Sequence, residues 1–337
     1  MSARARSRRH AAAIAVAASV TAGLGLVLTG CGPEDAGADD PAASVTSTAS
    51  GTAAATQGSG AKGRPAASSA PKAKVNGTAH NGLTISDGTR YVIMNGTRVD
   101  FGTAVRDLVW SPDGKKAAFI DGDGDLVVSN PDGSGRAVVA KNPGNENWSH
   151  PAWQVRTAHP ELVSGDGMPP LKNLIFAARK GGVSRLEGIP STARNGKPQV
   201  LSLGSESGEN IKPLPQTGNV WPSAAGTYGS AVYANSADGQ VYVRDDLLRQ
   251  QGSAITKGSE PAMPAGEDEG FVFVRSVGGH DHLFREHPGN NGPTFEDLTP
   301  NATTDYTEPA FSPDGKTIAA RTPDGIVTLP ADGSAAP

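Results

Sequence analysis

Trp110-Ser111-Pro112-Asp113-Gly114-Lys115-Lys116-Ala117-Ala118-Phe119-Ile120 is matched, later in the chain, by Phe311-Ser312-Pro313-Asp314-Gly315-Lys316-Thr317-Ile318-Ala319-Ala320-Arg321. In each copy an aromatic residue ends an extended run and a small, apolar strand returns from a turn. The turn chemistry is explicit. Proline fixes φ at the first turn position, aspartate bonds back to the backbone, and glycine accepts the left-handed conformation that closes a hairpin. Each copy runs into a second hairpin, at Asp121-Gly122-Asp123-Gly124 and at Pro323-Asp324-Gly325. A third turn follows each, at Pro131-Asp132-Gly133-Ser134 and at Ala331-Asp332-Gly333-Ser334. Successive antiparallel strands with a fixed order of turns describe one blade of a β-propeller.

Working outward, weaker copies fill the interval. Pro151-Ala152-Trp153, Pro222-Ser223-Ala224, Pro261-Ala262-Met263 and Pro309-Ala310-Phe311 repeat a mark that Leu108-Val109-Trp110 occupies in the first full copy. Successive marks lie 43, 71, 39 and 48 residues apart, and three of these intervals match a blade of forty-odd residues. The sequence therefore predicts an all-β fold, a β-propeller over residues 75–337. Six blades are expected, with five or seven as the alternatives. The last repeat ends after its third strand, and Leu83 to Phe101 offers three strand-like runs ahead of the first. These are expected to close the ring against the last blade and so remove an exposed edge. Abundant glycine (43) and proline (26) with few aromatics suit many short strands joined by tight turns.

At Ser111, Pro112, Asp113, Gly114 and again at Ser312, Pro313, Asp314, Gly315 the chain resembles the TolB-like propeller, whose repeat reads aromatic-Ser-Pro-Asp-Gly-Lys. The resemblance is strong in two blades and loose in the others, from roughly Gly82 onward. It implies the fold and a general role as a rigid platform for a protein partner. TolB itself carries a mixed α/β domain ahead of its propeller, which this chain lacks, so the Tol–Pal role is not implied.

The first thirty residues have a different chemistry. Arg4, Arg6, Arg8, Arg9 and His10 are followed by an uncharged apolar or small stretch from Ala11 to Leu28. A basic start, an apolar core and a small-residue cleavage site define a secretory signal over residues 1–30. It ends in Leu28, Thr29, Gly30 and Cys31, which resembles the lipobox of bacterial lipoproteins. That resemblance implies lipidation of Cys31 and an anchor on the extracytoplasmic face of the cell membrane. Cys31 is the only cysteine in 337 residues, so no internal disulfide forms. Residues 31–74 form an Ala/Ser/Thr/Gly/Pro-rich tether without aromatics, too polar to offset its ordering entropy. As a flexible coil it reaches on the order of 35 Å. Removing the signal removes four arginines and no acid, which leaves 26 basic against 34 acidic residues, a formal charge of −8. Such a surface repels phosphate backbones, so nucleic acid is excluded as a partner and membrane attachment falls to the lipid on Cys31.

The 71-residue interval carries two insertions, one from Gln154 to Pro170 and one from Ile189 to Pro198. Both are first-to-second or third-to-fourth strand connections, which share one face of a blade. They are expected to rise together and meet an envelope protein partner. Three constellations carry less. Asp121, Asp123 and Asp125 have calcium-loop spacing, but Leu126 and Asp132 stand where an EF-hand needs glycine and glutamate. His280, Asp281, His282 and His287 lack a recognisable metal spacing and read as a polar turn after Gly278-Gly279. Trp110, Trp153, Trp221 and Phe311 read as equivalent blade positions that pack the core. No nucleophile elbow, phosphate loop or HExxH motif occurs, so no catalytic residue, metal or cofactor is assigned. The expectation is a membrane-anchored, non-catalytic binding platform. Alternatives are a propeller lyase or hydrolase with its site at the central channel, or a regulatory lipoprotein acting on a membrane kinase or transporter. The enzyme reading requires polar residues from several blades to converge on the channel mouth.

Overall fold

A computed structural model describes residues 77–78, 84–85, 88–94, 97–157, 170–203, 214–224, 229–244, 252–264, 270–312 and 314–334. All lie in the compact unit Pro71–Pro337. The signal, the lipobox (Leu28, Thr29, Gly30, Cys31), the tether, most of the 154–170 insertion and Pro313 lie outside the described residues.

Among the described residues every regular element is a strand. Two short hairpins come first: β1 (Gly77–Thr78) with β2 (Thr84–Ile85), and β3 (Tyr91–Met94) with β4 (Thr97–Asp100). Blade 1 is β5 (Arg106–Trp110), β6 (Ala117–Ile120), β7 (Leu126–Ser129) and β8 (Ala137–Ala140). Blade 2 is β9 (Asn147–Arg156), β10 (Leu171–Lys180), β11 (Val183–Pro190) and β12 (Gln199–Val200). Blade 3 is β13 (Asn219–Ala224), β14 (Ala231–Asn235), β15 (Gln240–Arg244) and β16 (Ser253–Lys257). Blade 4 is β17 (Ser259–Ala262), β18 (Val272–Val277), β19 (His280–His287) and β20 (Thr294–Asp297). Blade 5 has three strands, β21 (Thr307–Phe311), β22 (Thr317–Thr322) and β23 (Gly325–Pro330). Every blade is an antiparallel meander in chain order. The first strands of successive blades lie side by side, as the inner strands of a propeller do, and β2 lies between β21 and β5.

The chain is thus a β-propeller of five blades, one of the counts the sequence allowed beside the six it favoured. The strands from 84 to 100 fill the sector between the last blade and the first as anticipated. They pair as two separate hairpins, because β1 and β2 are only two residues long and build no four-stranded sheet.

The core lies between blades. Successive residues of a strand face opposite sides of the sheet, and in β6 both sides are buried. Ala117 and Phe119 pack with Val92, Phe101 and Val105, whereas Ala118 and Ile120 pack with Trp148, Leu174 and Phe176 of blade 2. Leu283 on β19 joins Ile318 and Leu329 of blade 5, and its neighbour Phe284 joins Val232 and Val241 of blade 3. Blades are therefore two-sided hydrophobic slabs, which explains why their middle strands read as unbroken apolar runs.

The repeat turns are the same in both copies. Ser111 Oγ donates to Asp113 Oδ1 at 2.7 Å, and Lys115 N–H donates to the same oxygen at 3.1 Å. Ser312 Oγ donates to Asp314 Oδ1 at 2.6 Å, and Lys316 N–H donates to it at 3.1 Å. Gly114 and Gly315 hold φ of 66° and 70°, which side chains resist.

Candidate functional site

Each inner strand breaks its ladder once, at the same place. Two residues on the inner strand oppose one on the next: Asp107-Leu108 against Phe119, His150-Pro151 against Phe176, and Trp221-Pro222 against Tyr233. Glu260-Pro261 oppose Phe273, and Glu308-Pro309 oppose Ala320. This is a β-bulge, which bends the strand and re-aims a side chain. Proline is excluded from a central ladder but fits a bulge, where its missing N–H breaks no bond.

The residue ahead of each second bulge position takes a left-handed backbone. φ is 52° at Asp107, 51° at His150, 55° at Trp221, 51° at Glu260 and 51° at Glu308. Among the described non-glycine residues only Asn195 shares that feature. Such conformations cost of order 1–3 kcal/mol each and persist where the surrounding packing imposes them. The packing is present, since Phe119, Phe176, Tyr233 and Phe273 opposite four of the bulges are fully buried.

The five residues fall into two contacting groups, Asp107–His150–Trp221 and Glu260–Glu308. Asp107 Oδ2 accepts the His150 N–H at 3.1 Å, and Asp107 Oδ1 lies 3.8 Å from His150 Nε2. The His150 ring rests on the Trp221 indole, with centroids 3.6 Å apart and planes at 31°. Glu260 Oε2 accepts the Glu308 N–H at 2.6 Å, and Arg321 Nε donates to Glu308 Oε2 at 3.0 Å. At two blade junctions a carboxylate therefore caps the N–H of the next blade's bulge. All five residues are half-buried.

Burial sets the electrostatics. It holds the His150 imidazole below its ordinary pKa despite Asp107 and Glu308, which favour the imidazolium. His150 is therefore neutral at neutral pH. Burial pushes the Glu260 carboxyl up; the Glu308 N–H opposes this, and the charges of Glu308 and Asp281 add to it.

Strand polarity places this ring. It lies ahead of the middle of the inner strands, whereas the Ser111–Lys116 turn leaves from the end of β5. The second insertion, 189–198, does not rise freely. Asn195 and Gly196 N–H donate to Val138 O (3.0 Å) and Val139 O (2.8 Å) on β8, and Ala193 packs against the core between blades 1 and 2. It staples blade 2 to blade 1.

Other sequence candidates resolve into structure. Asp121 Oδ1 accepts the N–H groups of Asp123 (2.9 Å) and Asp125 (3.0 Å), and Asp125 Oδ1 accepts the Asn142 N–H (2.8 Å). These carboxylates cap turns. His280 to His287 form β19 rather than a turn, because Gly278-Gly279 alone reverses the chain. His280 meets Asp305, His282 meets Asp297 and His287 meets Glu296, so the three imidazoles do not converge. Among the described residues no three His, Cys, Asp or Glu are placed to hold a metal ion. Trp221 is not equivalent to Trp110, Trp153 and Phe311. It precedes its proline and belongs to the ring, while Ala224 takes the packing position in blade 3. The ring itself was missed, and its signal was present in four of the five blades: a proline inside the inner strand accompanies a bulge, and the residue before it is the one re-aimed.

No protein-family model matches the chain, and no curated protein matches it. Solved structures do. TolB from Acinetobacter baumannii is 18% identical over 71% of this chain and 56% of its own, with a TM-score of 0.48. An oligogalacturonate lyase in complex with manganese is 9% identical over 73% of this chain and 68% of its own, with a TM-score of 0.47. The tricorn protease is 14% identical over 70% of this chain and 23% of its own, at 0.42. The chain spans little more than half the length of the TolB chain it matches. These neighbours include enzymes as well as TolB, and at such identities none carries an activity over. The class, a β-propeller, rests on the chain's own sheets.

Proposed function

We propose that the chain is a non-catalytic binding module, carried on the extracytoplasmic face of the membrane by lipid on Cys31, that engages an envelope protein at the channel mouth. One observation carries the reading. Five inner strands each spend a bulge and a left-handed residue at the same position, which carries Asp107, His150, Trp221, Glu260 and Glu308. Strain repeated at one position of every blade supports a binding role. The ring is better supported than the 154–170 insertion, for which only sequence length speaks. Leu28-Thr29-Gly30-Cys31 supports the anchor, and loss of radiolabelled palmitate incorporation in Cys31→Ser tests it.

The same arrangement supports a second reading, a propeller lyase or hydrolase, because it supplies polar groups from several blades. Partner capture from detergent-solubilised membranes separates the two. The mature protein is compared with a Trp221→Leu/Glu260→Gln variant and with a variant lacking 154–170. A protein recovered by the wild type and the loop variant but lost from the ring variant is the expected result. Loss only with the loop moves the site to the 154–170 insertion. No recovery by any of the three favours the enzyme reading.

A further inference from the structure

Which chemistry the ring fits follows from what its groups leave unmet. Three of the five bulge residues, Asp107, Glu260 and Glu308, are carboxylates, and they disfavour an anionic group. Their internal compensation is uneven. Arg321 serves Glu308, and Arg106 neighbours Asp107 on β5. Glu260 has no cationic partner among the described residues; its one bond is from the Glu308 N–H. A half-buried carboxylate beside a second carboxylate is a charge that lacks its counterpart. Burial raising the Glu260 carboxyl reports the same deficit.

The equivalent bulge position on the neighbouring inner strand β13 is aromatic. Trp221 lies on His150, and its indole N–H has no partner among the described residues. The indole is the ring system that attracts cations best. His150 is neutral and so does not compete for the position. A bare metal ion fits poorly, because no three donors are grouped to hold one. An organic cation fits both positions. Its charge meets Glu260, and its flat or aliphatic part lies against Trp221.

We propose that the channel ring receives one cationic side chain, an arginine guanidinium or lysine ammonium, presented by the protein partner. This rests on the binding reading above and names the group that reading leaves open. A guanidinium satisfies more of the site, since it forks to a carboxylate and stacks on an indole at once.

The test uses the intact mature protein, with chelator present, titrated with N-acetyl-arginine amide and with its neutral counterpart N-acetyl-citrulline amide. Tryptophan fluorescence and calorimetry read binding. The expected result is saturable binding of the arginine amide in the millimolar range, weakened at least tenfold by Glu260→Gln and by Trp221→Leu. The citrulline amide should not saturate. Both variants are first shown by thermal melts to be folded. Equal binding of the two amides, unchanged binding by Glu260→Gln, or tight binding of calcium alone at the ring overturns the inference. If the arginine amide fails while a captured partner is still lost with the ring variant, the cation assignment falls and the binding reading stands. If the partner is retained by that variant, the binding reading falls as well.

Discussion

Glu286 offers the sharpest quantitative test of how this propeller is held together. It lies on β19, 7% exposed, and burial pushes its carboxyl up to about 7 from 4.5, against the Phe271 N–H and the neighbouring His287 and Arg285 charges. The sign follows from linkage. Below pH 4.5 the group is neutral in both folded and unfolded chains and costs nothing. Between 4.5 and 7 the unfolded chain ionises first, so stability is lost as pH rises through that window, and above 7 the loss is complete. The interval corresponds to about 3 kcal/mol at roughly 1.4 kcal/mol per pH unit. Glu286→Gln keeps an oxygen for the Phe271 N–H and removes the ionisation. The variant should match the wild type at pH 4 and exceed it at pH 8 by up to about 3 kcal/mol. At roughly 2–4 °C per kcal/mol for a domain of this size, the difference in Tm reaches on the order of 6–12 °C. Melts of both proteins at pH 4, 6 and 8 provide the measurement. A Tm difference constant across pH, or a variant less stable at pH 8, would refute the burial argument.

Tyr233 is fully buried, and its hydroxyl has no partner among the described residues. Tyr233→Phe should therefore stabilise by about 1 kcal/mol or more, and a lowered Tm would reveal a hydrogen bond to it. Trp148 is 2% exposed and its ring lies 4.9 Å from Phe176 between blades 1 and 2. Trp148→Ala should cost about 3–5 kcal/mol, read as a shifted urea midpoint. Glu260→Gln should raise the Tm at pH 8 and leave it unchanged at pH 4, because burial disfavours the carboxylate; the same two melts decide it. Ring binding of a cation should weaken as pH falls, because burial raises the Glu260 carboxyl and so favours its neutral form. Calorimetry at pH 5 and 7.5 checks that.

The propeller was legible because its turns are local. Ser111, Asp113 and Gly114 close a hairpin with bonds made inside six residues, and the same residues recur at Ser312, Asp314 and Gly315. The blade count was not, because β1 and β2 are too short to reveal that they pair with each other. The channel ring was hidden for a different reason. A left-handed residue in mid-strand is imposed by packing against Phe119, Phe176, Tyr233 and Phe273, and nothing in the local sequence prefers it. The four Pro-Ala/Ser marks were read as blade spacing when they also located bulges. Trp221 was grouped with Trp110 and Trp153 because residue type was weighed above its place relative to proline. The 189–198 insertion looked like a projecting loop, since its bonds to β8 are made across blades and leave no trace in spacing.

The bulges divide labour between backbone and side chain. In blades 2, 3 and 4 proline and the opposing aromatic fix the turn of the strand, while the residue ahead of the proline contributes little to either neighbouring core. Aspartate, histidine, tryptophan and two glutamates all occupy that slot on one scaffold. Specificity at the channel mouth is therefore modular: a new set of five residues there changes what the ring recognises and leaves folding to the rest of the chain.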